Sequence, residues 1–221
     1  MNIEFYHHLL NQLKGNDTAL IAVSKTRSVA TLQLAYQLGV RAFGENKVQE
    51  LVDKQAALPS DIDWHFIGHL QRNKVKYIAS FVHLIHGVDT LQLLEEIDRQ
   101  AAKNNRKINC LLQCYIASEE TKFGFNEVEL LDLLESDILS NYKHITICGL
   151  MGMATNTEDK RIVKQEFEGL KTLFEKLKCS YFQGQVTFKE LSMGMSGDYK
   201  IALEQGSTMV RIGSSLFGDN K

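Results

Sequence analysis

Lys25 is the first residue whose type and position could do chemistry. It follows the apolar run Ala19 to Val23, with only Ser24 between, in the segment ALIAVSKTRS. A lysine placed at the end of a buried strand can attack a carbonyl with its amine, whereas many such lysines are simply solvated. Lys25 therefore indicates a site only if other segments supply groups for the same ligand.

Two segments near the end of the sequence could bind an anion. SMGMSGD offers the hydroxyls of Ser192 and Ser196, with glycines that let backbone N–H groups approach a ligand closely. RIGSSLFG places Gly213 and Ser214 at the start of a short final turn. Free backbone N–H groups in such places bind phosphate without a charged side chain, although capping serines in ordinary turns would look the same.

Arg211 lies inside an apolar run, between Val210 and Ile212. A buried charge is costly unless it has a partner. The partner is either a structural carboxylate or an acceptor atom of a ligand, and the sequence leaves both open.

Eight short apolar runs alternate with helical patterns and would position these residues. Most runs are continuous rather than alternating, which is typical of parallel strands buried on both faces. The runs are ALIAVS, VRAFGE, DWHFIG, FVHLIHGV, INCLLQCYI, ITICGLMGMA, KELSMG and TMVRIG. Between them, Ser28, Asn126 and Thr155 fit helix N-caps.

This alternation predicts an α/β fold, a single (β/α)8 barrel of the TIM type that spans residues 1–221 as one domain. An extra N-terminal helix over residues 3–13 is expected to cover the bottom of the barrel. An open doubly wound sheet is the alternative, but no glycine fingerprint for a dinucleotide is present.

In such a barrel the carboxyl ends of the strands form the functional face, and the loops after strands seven and eight bind phosphate. Together these groups would suit a single ligand. It would have a carbonyl for Lys25, a phosphate for the two glycine- and serine-rich segments, and between them an acceptor atom for Arg211. Pyridoxal 5′-phosphate has this layout. We expect Lys25 to be buried beside Arg211, where its amine would attack the aldehyde.

The motifs AVSKTRS, FGENKVQE, WHFIGHLQRNK, TKFGF, GLMGM, LSMGMSGDY and STMVRIGSSLFG resemble those of the pyridoxal phosphate homeostasis proteins, the YggS/PROSC family. The resemblance extends from about Leu20 to Gly218. That family is similar in fold to the barrel domain of bacterial alanine racemase.

The resemblance implies a role for each site residue. Lys25 would form the Schiff base, and Arg211 would face the pyridine nitrogen. Asn46 would lie close to the cofactor. His65, Lys122 and Met153 also fall in family motifs, without an assigned role. The phosphate would be held at the motif positions Ser192, Ser196, Gly213 and Ser214.

The function implied is a carrier or regulator of pyridoxal phosphate and vitamin B6 balance, without appreciable catalysis. The chain ends nine residues after Ile212, so we expect no second domain of the kind that supplies a catalytic tyrosine in racemases. A cation at Arg211 would also weaken the electron sink of the ring. A weak amino-acid racemase and a Schiff-base aldolase acting on a phosphosugar remain as alternatives.

Composition restricts the partners. The net charge is −2 and no basic stripe is present, so nucleic acid is not expected as a partner. No membrane span, signal peptide, zinc pattern or disulfide framework is recognisable, which favours a cytoplasmic protein with reduced cysteines. The expected partners are the cofactor and apo-enzymes that depend on it, and a monomer is favoured over a dimer.

Overall fold

The computed structural model describes residues 1–118 and 123–218, and within them eight parallel strands close into a barrel. Each strand pairs with its neighbours in sequence, and the last strand pairs with the first. This confirms the predicted fold class, with one strand in each predicted run. The strands are β1 (Ala19–Val23), β2 (Ala42–Glu45), β3 (Asp63–Phe66), β4 (Leu84–Val88), β5 (Ile108–Cys114), β6 (Ile145–Gly152), β7 (Glu190–Met195) and β8 (Met209–Ile212).

One helix precedes the first strand, one follows the last, and the others lie between consecutive strands, except between β3 and β4. The helices are α1 (Ile3–Lys14), α2 (Val29–Gln37), α3 (Val48–Ala57), α4 (Leu91–Lys103), α5 (Glu127–Glu135), α6 (Lys160–Ser180), α7 (Tyr199–Glu204) and α8 (Ser214–Phe217). Short 3₁₀ helices follow β3 at Arg72–Tyr77 and α5 at Ile138–Asn141. No helix in the described ranges is long and apolar enough to cross a membrane.

The helix caps were predicted correctly in two of three places. Ser28 accepts the N–H of Thr31 and caps α2, and Asn126 opens α5 with a capping box. Thr155 is not the cap of α6, because its N–H and hydroxyl both donate to the carboxylate of Glu166. Asp159 caps that helix instead.

The N-terminal helix α1 lies along the barrel wall, and the expectation that it covers the bottom is wrong. Its first turn lies beside α8, where the N–H of Asn2 donates to the Leu216 carbonyl at 2.7 Å. Helix α8 has only four residues and is too short to cover the outer surface of the barrel near β1 and β8. Helix α1 covers this surface by burying Tyr6, Leu9 and Leu13.

The barrel interior holds its own small apolar cluster, distinct from the larger core between strands and helices. Its buried members are Ile21, Leu84, Leu111, Cys148, Met151 and Met209. Residues paired in register on parallel strands share a face. Arg211 pairs with Ile21, and Ser192 pairs with both Met209 and Met151. Both polar side chains therefore point into the barrel.

Candidate functional site

Lys25 lies two residues beyond β1, at the carboxyl end of the barrel, and its side chain is exposed. The expectation that Lys25 is buried is therefore wrong, because the strand ends at Val23 and the chain turns outward. Across residues 1–118 and 123–218, the amine of Lys25 has no hydrogen bond or ion pair. The group is accessible to a ligand.

Arg211 is buried in the interior, where its guanidinium donates to three oxygens. Nη1 donates to the Ser192 carbonyl at 2.9 Å and to Ser192 Oγ at 2.6 Å, and Nη2 donates to the Gly152 carbonyl at 3.1 Å. Burial lowers the pKa of Arg211 to about 10, so the side chain is a cation at neutral pH. In the described part of the chain no carboxylate lies within ion-pair distance of it.

Ser192 is placed differently from the expected phosphate ligand. Its side chain is fully buried, and its hydroxyl lies between Arg211 and His86. His86 Nδ1 is 2.9 Å from Ser192 Oγ, and His86 Nε2 is 2.9 Å from His65 Nδ1. These contacts support Arg211 from within the barrel.

Arg211 fixes the direction of each hydrogen bond in this buried series of side chains, because a guanidinium can only donate. With Ser192 Oγ accepting from Arg211, its hydroxyl can donate to His86 Nδ1, and His86 Nε2–H can then donate to His65. Both histidines are neutral in this assignment. Burial lowers the pKa of His65 to about 3 and that of His86 well below its usual value, with nearby His83 and Arg211 adding to the effect.

The loops after β7 and β8 meet at the barrel mouth. The N–H of Gly213 donates to Ser196 Oγ at 3.3 Å, so these two predicted residues are in contact. A Cβ on Gly213 would lie 3.1 Å from Val23 Cβ, so glycine lets this loop approach the end of β1 closely. Ser214 is exposed. Among described residues, the backbone N–H groups of Ser214 and Ser215 have no protein acceptor.

Asn46 follows β2 and contributes to the same mouth. Its side-chain Oδ1 is buried and unpaired with any described residue. It lines a cavity of about 580 Å³ together with Phe66 and His69. A larger open groove of about 1020 Å³ lies beside the mouth, between the loop after β3 and α4, and has none of the predicted site residues in its lining. The convergent polar groups therefore lie at the mouth and not in the larger groove.

Three further residues of the family motifs, His65, Lys122 and Met153, had no assigned role. His65 is in the buried chain below the mouth, and Met153 packs on the interior cluster. Lys122 lies outside the described residues.

Sequence reasoning missed the buried charges behind Lys25. Lys54 on α3 is 6% exposed and donates to Glu45 Oε1 at 2.7 Å. Burial raises the pKa of Glu45, although hydrogen bonds from Lys54 and Ser24 oppose that effect. Glu45 at the end of β2 was a visible signal, because a carboxylate in a buried strand needs a partner. The identity of that partner depends on how α3 packs.

Comparison with known protein families gives one consistent match. Residues 5–221 match the family described as alanine racemase, N-terminal domain. The pyridoxal phosphate homeostasis protein of Aquifex aeolicus (strain VF5) is 39% identical over 207 residues, covering 93% of this chain and 89% of the relative. That of Pasteurella multocida (strain Pm70) is 38% identical over 218 residues, covering 96% and 91%.

Solved structures agree with this match. PipY of Synechococcus elongatus PCC7942 with pyridoxal phosphate bound is 35% identical, with a TM-score of 0.83 and coverage of 95% of this chain and 98% of PipY. Alanine racemase from Bartonella henselae is 18% identical, with a TM-score of 0.67. That likeness covers 91% of this chain and 54% of the racemase, and it concerns the fold alone.

Proposed function

Since this chain belongs to the family of pyridoxal phosphate homeostasis proteins, we propose that it binds pyridoxal 5′-phosphate covalently and reversibly through Lys25 and regulates the supply of the cofactor. The observation that carries the proposal is the exposed amine of Lys25 at the end of β1, the strand that Gly213 approaches while its N–H donates to Ser196. The guanidinium of Arg211 is buried inside the same barrel.

The residues present fit this cofactor. An exposed amine suits an aldehyde. The backbone N–H groups of Ser214 and Ser215, which donate to no residue that the structure describes, suit a phosphate. Asn46 Oδ1 accepts from no group in the described ranges, so it is open to a donor of the ligand. Arg211 supplies a fixed cationic donor for a ring nitrogen. Ser192 orients Arg211 by accepting its hydrogen bonds and is not a phosphate ligand in this proposal.

When bound, pyridoxal phosphate supplies an aldehyde that condenses with amines and a ring that can accept electron density. Lys25 supplies the amine from the protein. Because Arg211 is a cation, it disfavours protonation of any nitrogen that it faces. An unprotonated ring is a weak electron sink, and this supports a carrier without appreciable amino-acid turnover.

In this role residues 1–221 form one domain, and the protein acts as a cytoplasmic monomer that serves apo-enzymes requiring the cofactor. Pairing of β1 with β8 supports the single domain, because it joins the two ends of the described chain in one barrel. The names of the relatives refer to homeostasis and favour this function over a weak racemase.

The test is borohydride reduction of protein loaded with pyridoxal phosphate, followed by peptide mapping and visible absorption spectra. We expect the pyridoxyl mass on Lys25 and a visible band that reduction removes. Lys25→Ala should lose both, whereas Lys47→Ala, which removes an exposed lysine near the same mouth, should retain both. Attachment to Lys74 or Lys122 in place of Lys25 would contradict the proposal.

A further inference from the structure

A largely buried cluster of three ionisable side chains contacts the backbone on both sides of Lys25. We call Lys54, Glu45 and Glu50 the Lys54 cluster. Lys54 Nζ lies 2.7 Å from Glu45 Oε1 and 3.2 Å from Glu50 Oε2. The Lys54 and Glu45 side chains are 7% and 0% exposed, and that of Glu50 is 27% exposed.

The Lys54 cluster holds the residues on both sides of Lys25. On one side, Lys54 Nζ donates to the Ser24 carbonyl at 2.8 Å, and Ser24 Oγ donates to Glu45 Oε1 at 2.6 Å. On the other side, the N–H of Thr26 donates to Glu50 Oε2 at 2.7 Å. The peptide units next to Lys25 are therefore tied to α3 and β2, while its own side chain bonds to none of the described residues.

Thr26 shows that this backbone is held in an unfavourable conformation. Its φ is +63°, in the left-handed region that β-branched residues rarely adopt. Such a conformation costs on the order of 1–3 kcal/mol and persists only where surrounding contacts enforce it. The hydrogen bond from Thr26 N–H to Glu50 is a contact of this kind.

Stability alone is a weak explanation for the cluster. Burying an ion pair costs desolvation energy that can exceed the attraction between the charges, so packed apolar residues would serve stability as well. A carboxylate and an amine do offer what apolar residues cannot, namely hydrogen bonds to the main chain around Lys25.

We propose that the Lys54 cluster positions Lys25, aligning its amine with the aldehyde of the ligand. This role rests on the proposed function. Positioning residues act on the rate of a covalent step, because small misplacements of a reacting group cost up to about a hundredfold. They need not change the affinity for a ligand that forms no covalent bond.

Two substitutions of Glu50 test the role with matched chemistry. Glu50→Gln and Glu50→Leu both remove the charge, but only glutamine retains an acceptor for the N–H of Thr26. Lys47→Met is the control, since Lys47 is exposed and only reaches Glu50 from the solvent side at 4.0 Å. Each protein is mixed with pyridoxal phosphate to measure the rate of Lys25 attachment, and with 4-deoxypyridoxine 5′-phosphate, which lacks the aldehyde, to measure affinity.

We expect Glu50→Leu to slow attachment by about ten- to a hundredfold, with Glu50→Gln and Lys47→Met within a few-fold of wild type. Affinity for the deoxy compound should be unchanged in all of them. Unchanged attachment in Glu50→Leu, or parallel loss of attachment and deoxy affinity, would overturn the positioning role alone. Wild-type protein that bound neither compound would overturn the proposed function as well.

Discussion

Two buried histidines should make the stability of this protein fall steeply in mild acid. His65 and His86 are 3% and 0% exposed, and they bond to each other and to Ser192 inside the barrel. Burial lowers the pKa of His65 to about 3 and lowers that of His86 strongly as well. Arg211 and His83, which lie nearby, lower the pKa of His86 further. Both rings are therefore neutral in the folded protein over the range in which exposed histidines gain a proton.

The sign and size of the effect follow from proton linkage. An unfolded histidine has a pKa of about 6.5, so below that pH the unfolded chain binds more protons than the folded one. The stability contribution is complete above about pH 6.5 and is lost as the pH falls towards 3. Each group changes the free energy of unfolding by about 1.4 kcal/mol per pH unit. Two groups over one and a half units cost about 4 kcal/mol, a large share of a typical 5–15 kcal/mol.

Urea unfolding monitored through Trp64, the single tryptophan, measures this directly at several values between about pH 7 and pH 5. Replacing one histidine, in His86→Gln, should roughly halve the slope of unfolding free energy against pH. The control His8→Gln removes an exposed histidine on α1 and should leave the slope unchanged. A wild-type slope near zero, or a full slope in His86→Gln, would refute the assignment of two neutral buried histidines.

Three further outcomes can be checked. Pyridoxal phosphate should bind at least about tenfold more tightly than pyridoxal, because charge-assisted hydrogen bonds contribute roughly 1.5–3 kcal/mol each; equal titration curves would exclude a phosphate site at Ser196, Gly213 and Ser214. Incubation with L-alanine in deuterated water should give neither D-alanine nor Cα deuterium at an enzymatic rate; turnover abolished by Lys25→Ala would restore the racemase alternative. Gly194→Ala should lower the urea midpoint, since φ is +94° and the new Cβ would lie 2.5 Å from Ala202 Cβ; an unchanged midpoint would contradict this.

The strands were predictable because each apolar run is buried on both faces and therefore reads as continuous. The run FVHLIHGV predicts β4 correctly, yet the sequence does not reveal what its polar member His86 contacts. That contact joins residues 106 positions apart, His86 and Ser192, and exists only once the barrel closes. Polar residues inside apolar runs thus indicate that hydrogen bonds form inside the barrel, but they do not show which residues pair.

The errors arose where local patterns competed with tertiary contacts. Thr155 fits a capping box, but Glu166, nearly two turns into α6, accepts from both the N–H and the hydroxyl of Thr155. The N-terminal helix has an apolar face that could cover either the bottom or the wall of the barrel. Helix α1 covers the wall because α8 is too short to cover it. The length of α8 was hard to predict from the few residues at the C-terminal end of the sequence.

Lys25 and Arg211 illustrate two ways of holding a cation, and each suits its expected task. Arg211 is immobilised by three hydrogen bonds to neutral oxygens within the barrel. It can therefore set the electronic environment of a ligand without moving or exchanging a proton. The backbone of Lys25 is tied through Ser24 and Thr26. Its exposed side chain suits the proposed reversible reaction with a carbonyl. A carrier needs this division, because a reacting amine buried like Arg211 could neither admit the cofactor readily nor release it.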